Sequence, residues 1–134
     1  AAKTAEVPPE SEADRLARET ETYERSGQFK AAADRYEALS RGSGIDAEWA
    51  LYRLGKLRER HLGDSEGALG AWRDHQRRFP AGSLRQEAHL SIVETLVRLG
   101  RNKEALGEAE RFLARYPNSE RQGELARIKE RLQP

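Results

Sequence analysis

The segment LGRNKEA at residues 99–105 decides the fold, because it has two counterparts earlier in the chain, SGQFKAA at 26–32 and LGDSEGA at 62–68. The second residue of each segment is glycine. These glycines are 36 and 37 residues apart, and each is followed five positions later by alanine. Pro80 and Pro117 are again 37 residues apart, and each follows an aromatic residue. Several marks with one shared period indicate a chain built from internal repeats.

Each repeat is predicted to be a pair of antiparallel helices. Glycine ends the first helix because it adopts the left-handed conformation at little cost. Asp64 and Asn102 are placed to cap the helix that follows, and Ser83 has capping-box spacing to Gln86 before the next pair. Apolar residues recur at helical spacing in every helix, so neighbouring pairs must stack to bury them. The final helix is predicted to close the array with a polar outer face, formed by Glu124, Arg127, Glu130 and Arg131.

The composition limits the classes of protein that the sequence fits. Val, Ile and Thr, which favour strands, make up 10 of the 134 residues, so an all-α protein is predicted. No run of about 18 apolar residues is present to cross a membrane. Without cysteine the chain forms neither disulfides nor thiolate metal sites. A net charge of +1 is small for a nucleic-acid-binding surface, so we expect no nucleic-acid partner. Because no long apolar run is present, we also expect no membrane insertion within this chain.

These features resemble the tetratricopeptide repeat (TPR) family over about residues 11–132. The resemblance implies an α-solenoid of three antiparallel helix pairs plus a C-terminal capping helix. A single domain is expected at 11–134, with units at about 11–44, 45–82 and 83–118 and the capping helix at 119–132. Residues 1–10, with two adjacent prolines, are expected to form a flexible leader.

Particular segments suggest a cellular setting by resemblance. RRFPAGSLRQEAH at 77–89 and FLARYPNSE at 112–120 are similar to TPR proteins of the bacterial envelope. This resemblance implies a non-enzymatic interaction module or scaffold, periplasmic or envelope-associated, with a cytoplasmic location left open. Residues 51–72 are also similar to TPR regions of membrane-anchored anti-sigma or FecR-like regulators. A periplasmic sensory or regulatory domain is therefore the alternative.

The sequence gives no indication of catalysis. The three histidines lack metal-site spacing, so we expect no catalytic residue, no metal ligand and no cofactor. His75 falls on the apolar stripe between Trp72 and Phe79, which is typical of a hydrogen-bonded core histidine. The expected partner is a protein or peptide, with weak self-association through the ends of the array as a further hypothesis.

In TPR proteins the first helices line a concave groove, and the resemblance places a partner-binding site there. The groove positions are Asp14, Glu21, Glu24, Trp49, Tyr52, Lys56, Glu59, Glu87, Leu90, Glu94 and Arg98. Trp49, Tyr52 and Leu90 are the expected anchors, because aromatic residues dominate binding energy. A second interpretation, that Trp49 merely packs against the first unit, stays open. The Asn/Arg clamp with which some TPR proteins hold a terminal carboxylate is not evident.

Overall fold

The computed structural model describes residues 6–134 of the chain, and this part contains seven helices. They are α1 (Glu12–Arg25), α2 (Phe29–Ser40), α3 (Gly44–Arg60), α4 (Ser65–Arg78), α5 (Arg85–Arg98), α6 (Asn102–Arg115) and α7 (Gln122–Leu132). This part of the chain contains no strand. Half of the predicted leader, residues 1–5, lies outside the described residues, and residues 6–10 have no regular secondary structure.

The helices form three pairs followed by a single helix, and each helix packs chiefly against its neighbours in sequence. Side-chain contacts also join the first helices of successive pairs. Arg53 on α3 donates to Glu24 on α1 at 2.8 Å, and Arg98 on α5 pairs with Glu59 on α3 at 3.0 Å. The first helices therefore lie side by side along one face. This arrangement confirms the predicted all-α solenoid with a C-terminal helix.

The turns within the three pairs are formed at the predicted glycines. Gly27, Gly63 and Gly100 have φ angles of 78°, 60° and 73°, a left-handed conformation that costs glycine little. After α1, the amide of Gln28 reaches back to the Tyr23 carbonyl at 2.9 Å, which satisfies a free carbonyl of the last turn. The prediction that the helices separate at these glycines is confirmed.

The predicted helix caps are only partly correct. Asp64 accepts a hydrogen bond from the amide of Gly67 at 2.8 Å, as expected for an N-cap. The Asn102 cap is wrong, because α6 is preceded by Arg101 and no side chain caps it. The capping box at Ser83 is also wrong, because the Ser83 amide donates to the distant carboxylate of Glu48 at 3.2 Å.

The core consists of three apolar clusters that cross the boundaries between pairs. The first joins α2, α3 and α4 around Tyr36, Leu54 and Leu57. The second joins α4, α5 and α6 around Trp72, and the third joins α5, α6 and α7 around Phe112. Because each cluster needs side chains from two successive units, burial of apolar surface holds the pairs in a stack.

Candidate protein-binding groove

The face along which α1, α3 and α5 lie side by side holds most of the predicted partner-binding residues. We call it the groove face, and it consists of Glu21, Glu24, Trp49, Tyr52, Arg53, Lys56, Glu59, Glu87, Glu94 and Arg98. Two salt bridges join neighbouring first helices across this face: Glu24 with Arg53 connects α1 to α3, and Glu59 with Arg98 connects α3 to α5.

A cleft of about 510 Å³ opens at the N-terminal end of the groove face. Trp49 lines this cleft, and its ring also packs edge-on against the buried Tyr36, with 5.6 Å between ring centroids. Trp49 therefore packs against the first unit and also lines the cleft, and its role as an anchor for a partner stays a prediction. Phe29 and His61 also line the cleft, and their rings stack flat on each other with centroids 3.9 Å apart.

A hydrogen-bonded network forms the wall of this cleft. The Glu24 carboxylate accepts the Tyr36 hydroxyl at 2.7 Å and the Arg53 guanidinium at 2.8 Å. Burial of the phenol, together with its hydrogen bond to Glu24, raises the pKa of Tyr36 to about 12. Arg53 also lies 5.9 Å from the Trp49 ring centroid. The predicted groove set omits Arg53, although its position one helical turn after Trp49 is the signal that could have found it.

Three ionisable side chains in the middle of the groove face are half-buried. Burial raises the pKa of Tyr52, lowers the pKa of Lys56 and raises the pKa of Glu94. The Lys56 ammonium lies over two rings, 5.7 Å from the Tyr52 centroid and 5.4 Å from that of Trp72. Neither Lys56 nor Glu94 forms a salt bridge with a described residue. Shifts in the direction of the neutral form, at a surface open to solvent, are typical of binding sites.

We call Tyr52, Lys56 and Glu94 the floor of the groove face, and Glu87 adds a further polar group beside them. Its Oε2 atom is buried and has no hydrogen-bond partner among residues 6–134. The charge of Glu87, on α5, contributes to the raised pKa of Tyr52 on α3. A carboxylate oxygen in this state gains from any donor that a bound partner brings.

The C-terminal end of the groove face continues onto α7. Glu94 lines a second cleft of about 550 Å³ together with side chains of α7, namely Glu124, Arg127, Ile128, Glu130 and Arg131. The polar side of α7, which the sequence assigned to the outside of the array, therefore extends the groove face by one helix.

Two predicted groove residues lie elsewhere. Leu90 is only 6% exposed and packs in the third core cluster with Phe112 and Leu125, so its assignment as an exposed anchor is wrong. The face of α5 that carries Leu90 is covered by α6 and α7. Asp14 is exposed in the first turn of α1, seven positions before Glu21, and lines none of the clefts described above.

The histidines and acidic residues of the described chain form no cluster with the makeup of a metal site. His75 and His89 are buried instead against carboxylates, Glu48 at 2.9 Å and Glu108 at 2.8 Å. Within residues 6–134 no helix has the length and apolar content needed to cross a membrane.

Comparison with known families identifies the repeats. Residues 49–81 and 87–119 match the family model described as tetratricopeptide repeat. The first match covers most of α3 and all of α4, and the second covers most of α5 and all of α6. A comparison with curated proteins gave no match. The two matched repeats and the stacked helix pairs support a protein of the tetratricopeptide-repeat type, and such repeats generally mediate protein–protein interaction and are generally not catalytic.

Proposed function

We propose that this protein is a non-enzymatic interaction module that binds a partner polypeptide along the groove face. The observation that carries the proposal is the half-buried floor formed by Tyr52, Lys56 and Glu94. Burial shifts the pKa of each of these groups in the direction that favours its neutral form. Ionisable groups that are partly desolvated gain free energy when a bound chain supplies hydrogen bonds or an opposite charge at short range.

The N-terminal cleft supplies the apolar part of this site. Trp49 is fixed from below by Tyr36 and flanked by Arg53, so its exposed edge is held in place before a partner arrives. A rigid aromatic side chain loses little conformational entropy on binding, which is why such residues dominate interface energies. The groove face thus combines one aromatic anchor with a polar floor that sets the register of the bound chain.

The cellular setting of the protein is a separate and more specific proposal. We infer a bacterial envelope complex and a periplasmic location, supported by the similarity of residues 77–89 and 112–120 to envelope TPR proteins. The similarity of residues 51–72 to anti-sigma and FecR-like regulators supports the alternative, a sensory or regulatory domain of a membrane-anchored protein. The nearly balanced charge supports a protein partner over a nucleic acid.

The proposal is tested with a peptide selected by display against the whole chain, whose affinity is measured by fluorescence anisotropy. We expect Trp49→Ala and Lys56→Ala each to weaken binding by about tenfold, which corresponds to about 1.4 kcal/mol. Lys103→Ala is the matched control, because Lys103 is an exposed lysine in the first turn of α6, away from the groove face. Equal affinities of Lys56→Ala and Lys103→Ala would contradict the proposed site.

A further inference from the structure

The boundary between the second and third helix pairs contains a buried carboxylate with four hydrogen-bond donors. Glu48, on α3, is 4% exposed. Its Oε2 lies 2.9 Å from His75 Nε2 on α4 and accepts the Leu84 amide at 3.1 Å. Its Oε1 accepts the amide and the hydroxyl of Ser83 at 3.2 and 3.3 Å. One side chain therefore connects α3, α4 and the turn that leads into α5.

This carboxylate takes the place of an N-cap for α5. No side chain from the residues just before α5 caps that helix, and a helix N-terminus favours a negative charge with free amides directed at it. The turn closes around the carboxylate because residue 82 is glycine. A Cβ atom at Gly82 would overlap the carboxylate group of Glu48. The attachment of α5 to the second pair thus depends on Glu48 keeping its buried position against this turn.

His75 occupies the remaining side of the carboxylate and is fully buried. Because Nε2 faces a carboxylate oxygen, the neutral ring donates its proton from Nε2. Nδ1 is then a bare acceptor, buried and without a hydrogen-bond partner among the described residues. Protonation of Nδ1 in the closed structure would bury both a positive charge and an unpaired N–H, which is costly.

The groups around His75 set the direction of its pKa. Burial lowers the pKa of His75, and the nearby Arg78 on the same helix also lowers it. Glu48 on α3 and Glu87 on α5 act in the opposite direction but do not outweigh burial. Arg78 is held in place by the carbonyls of Ser40 and Gly42, at 2.6 and 3.1 Å, at the end of the first pair.

We propose that Glu48, His75 and the turn at 82–84 form a proton-sensitive latch that opens the boundary between the second and third pairs in mild acid. In the open state water reaches the imidazole, which then binds a proton at its ordinary pKa of about 6.5. In the closed state His75 binds that proton only at lower pH. Acidification below about pH 6.5 therefore favours the open state, while above that pH the latch is fully stabilised. The inference does not depend on the proposed peptide binding.

Opening of the latch would act directly on the groove face. Leu84 precedes Glu87 by three residues, and Glu48 directly precedes Trp49. Release of the α5 N-terminus from Glu48 separates α3 from α5 near the place where the charge of Glu87 raises the pKa of Tyr52. The latch thus sets the spacing of two helices that line the site.

The test is amide hydrogen exchange of the whole chain by NMR between pH 5 and 8, with protection factors corrected for intrinsic exchange. Protection of the Ser83 and Leu84 amides is expected to fall by up to about tenfold per pH unit below pH 6.5, since opening binds one proton. The Ala109 amide, in the middle of α6, is expected to change less. His75→Gln retains a donor for Glu48 but does not titrate, so protection of Ser83 should no longer depend on pH.

Two variants at the other histidines serve as controls. His61→Gln, at an exposed position, and His89→Gln, at the buried pair with Glu108, should both keep the pH dependence of the wild-type protein. The proposal is overturned if wild-type protection at Ser83 does not change with pH, or if the dependence persists in His75→Gln. If His75→Gln does not fold, the proposal is tested on the wild-type protein instead. An NMR signal of the His75 imidazole that titrates at or above pH 6.5 would overturn the proposal.

Discussion

Replacement of Trp72 by alanine is expected to lower the free energy of unfolding by about 3–5 kcal/mol, the range for removal of a large, fully buried aromatic ring. Trp72 is 0% exposed and forms the centre of the second core cluster, between the second and third pairs. Its indole N–H donates to the Tyr52 carbonyl at 3.2 Å, a bond that the variant also loses. The loss is a large fraction of the 5–15 kcal/mol that stabilises a typical domain.

The chain contains its own matched control for this measurement. Trp49→Ala removes the same side chain from a partly exposed position, so less packing is lost and a smaller decrease is expected. Urea denaturation followed by circular dichroism at 222 nm compares the two variants without relying on tryptophan fluorescence. Equal losses for Trp72→Ala and Trp49→Ala would show that the stacked core described above is wrong.

Gly55→Ala is expected to destabilise the protein by about 1–3 kcal/mol, although alanine is a far better helix former than glycine. Gly55 lies in the middle of α3, where a Cβ atom would overlap the indole of Trp72. Because Trp72 is enclosed on all sides, its ring has no space to move aside. Overpacking therefore outweighs the gain in helix propensity.

Gly70→Ala should have the opposite sign. Gly70 lies within α4, is exposed, and has open space around the position of a Cβ atom. Only the helix propensity changes there, so a gain of about 0.5–1 kcal/mol is expected. Thermal unfolding of the Gly55→Ala and Gly70→Ala proteins measures both changes in stability. A stabilised Gly55→Ala protein would mean that α3 and α4 do not approach each other as closely as the structure indicates.

The local signals in the sequence predicted the fold well because the turns depend on a few neighbouring residues. Gly27, Gly63 and Gly100 take the left-handed conformation that ends a helix, and this requirement is visible in the identity of one residue. Asp64 acts as a cap within three residues of its partner. The apolar period then fixes which side of each helix is buried, as at Trp72 and Phe112.

Long-range contacts explain where the sequence analysis failed. Ser83 has capping-box spacing, but its amide bonds Glu48, which lies 35 positions earlier in the chain. Leu90 occupies a groove position by family register, yet α6 and α7 cover it, because α5 is buried on several sides in the middle of the stack. The sequence analysis likewise omits the pairing of Arg53 with Glu24 of the preceding unit, although the spacing of Arg53 from Trp49 places it beside that ring. The spacing of neighbouring residues in the sequence indicates none of these long-range contacts.

The groove face is tested most directly by NMR chemical-shift mapping of the whole chain with the display-selected peptide bound. We predict that the largest changes occur at the Trp49 indole N–H and at backbone amides of α3 and α5 around Tyr52, Lys56 and Glu94. Residues on the outer surfaces of α2, α4 and α6 should change little. Shifts concentrated on those outer surfaces, with the Trp49 indole unaffected, would contradict the assignment of the first helices as the binding face.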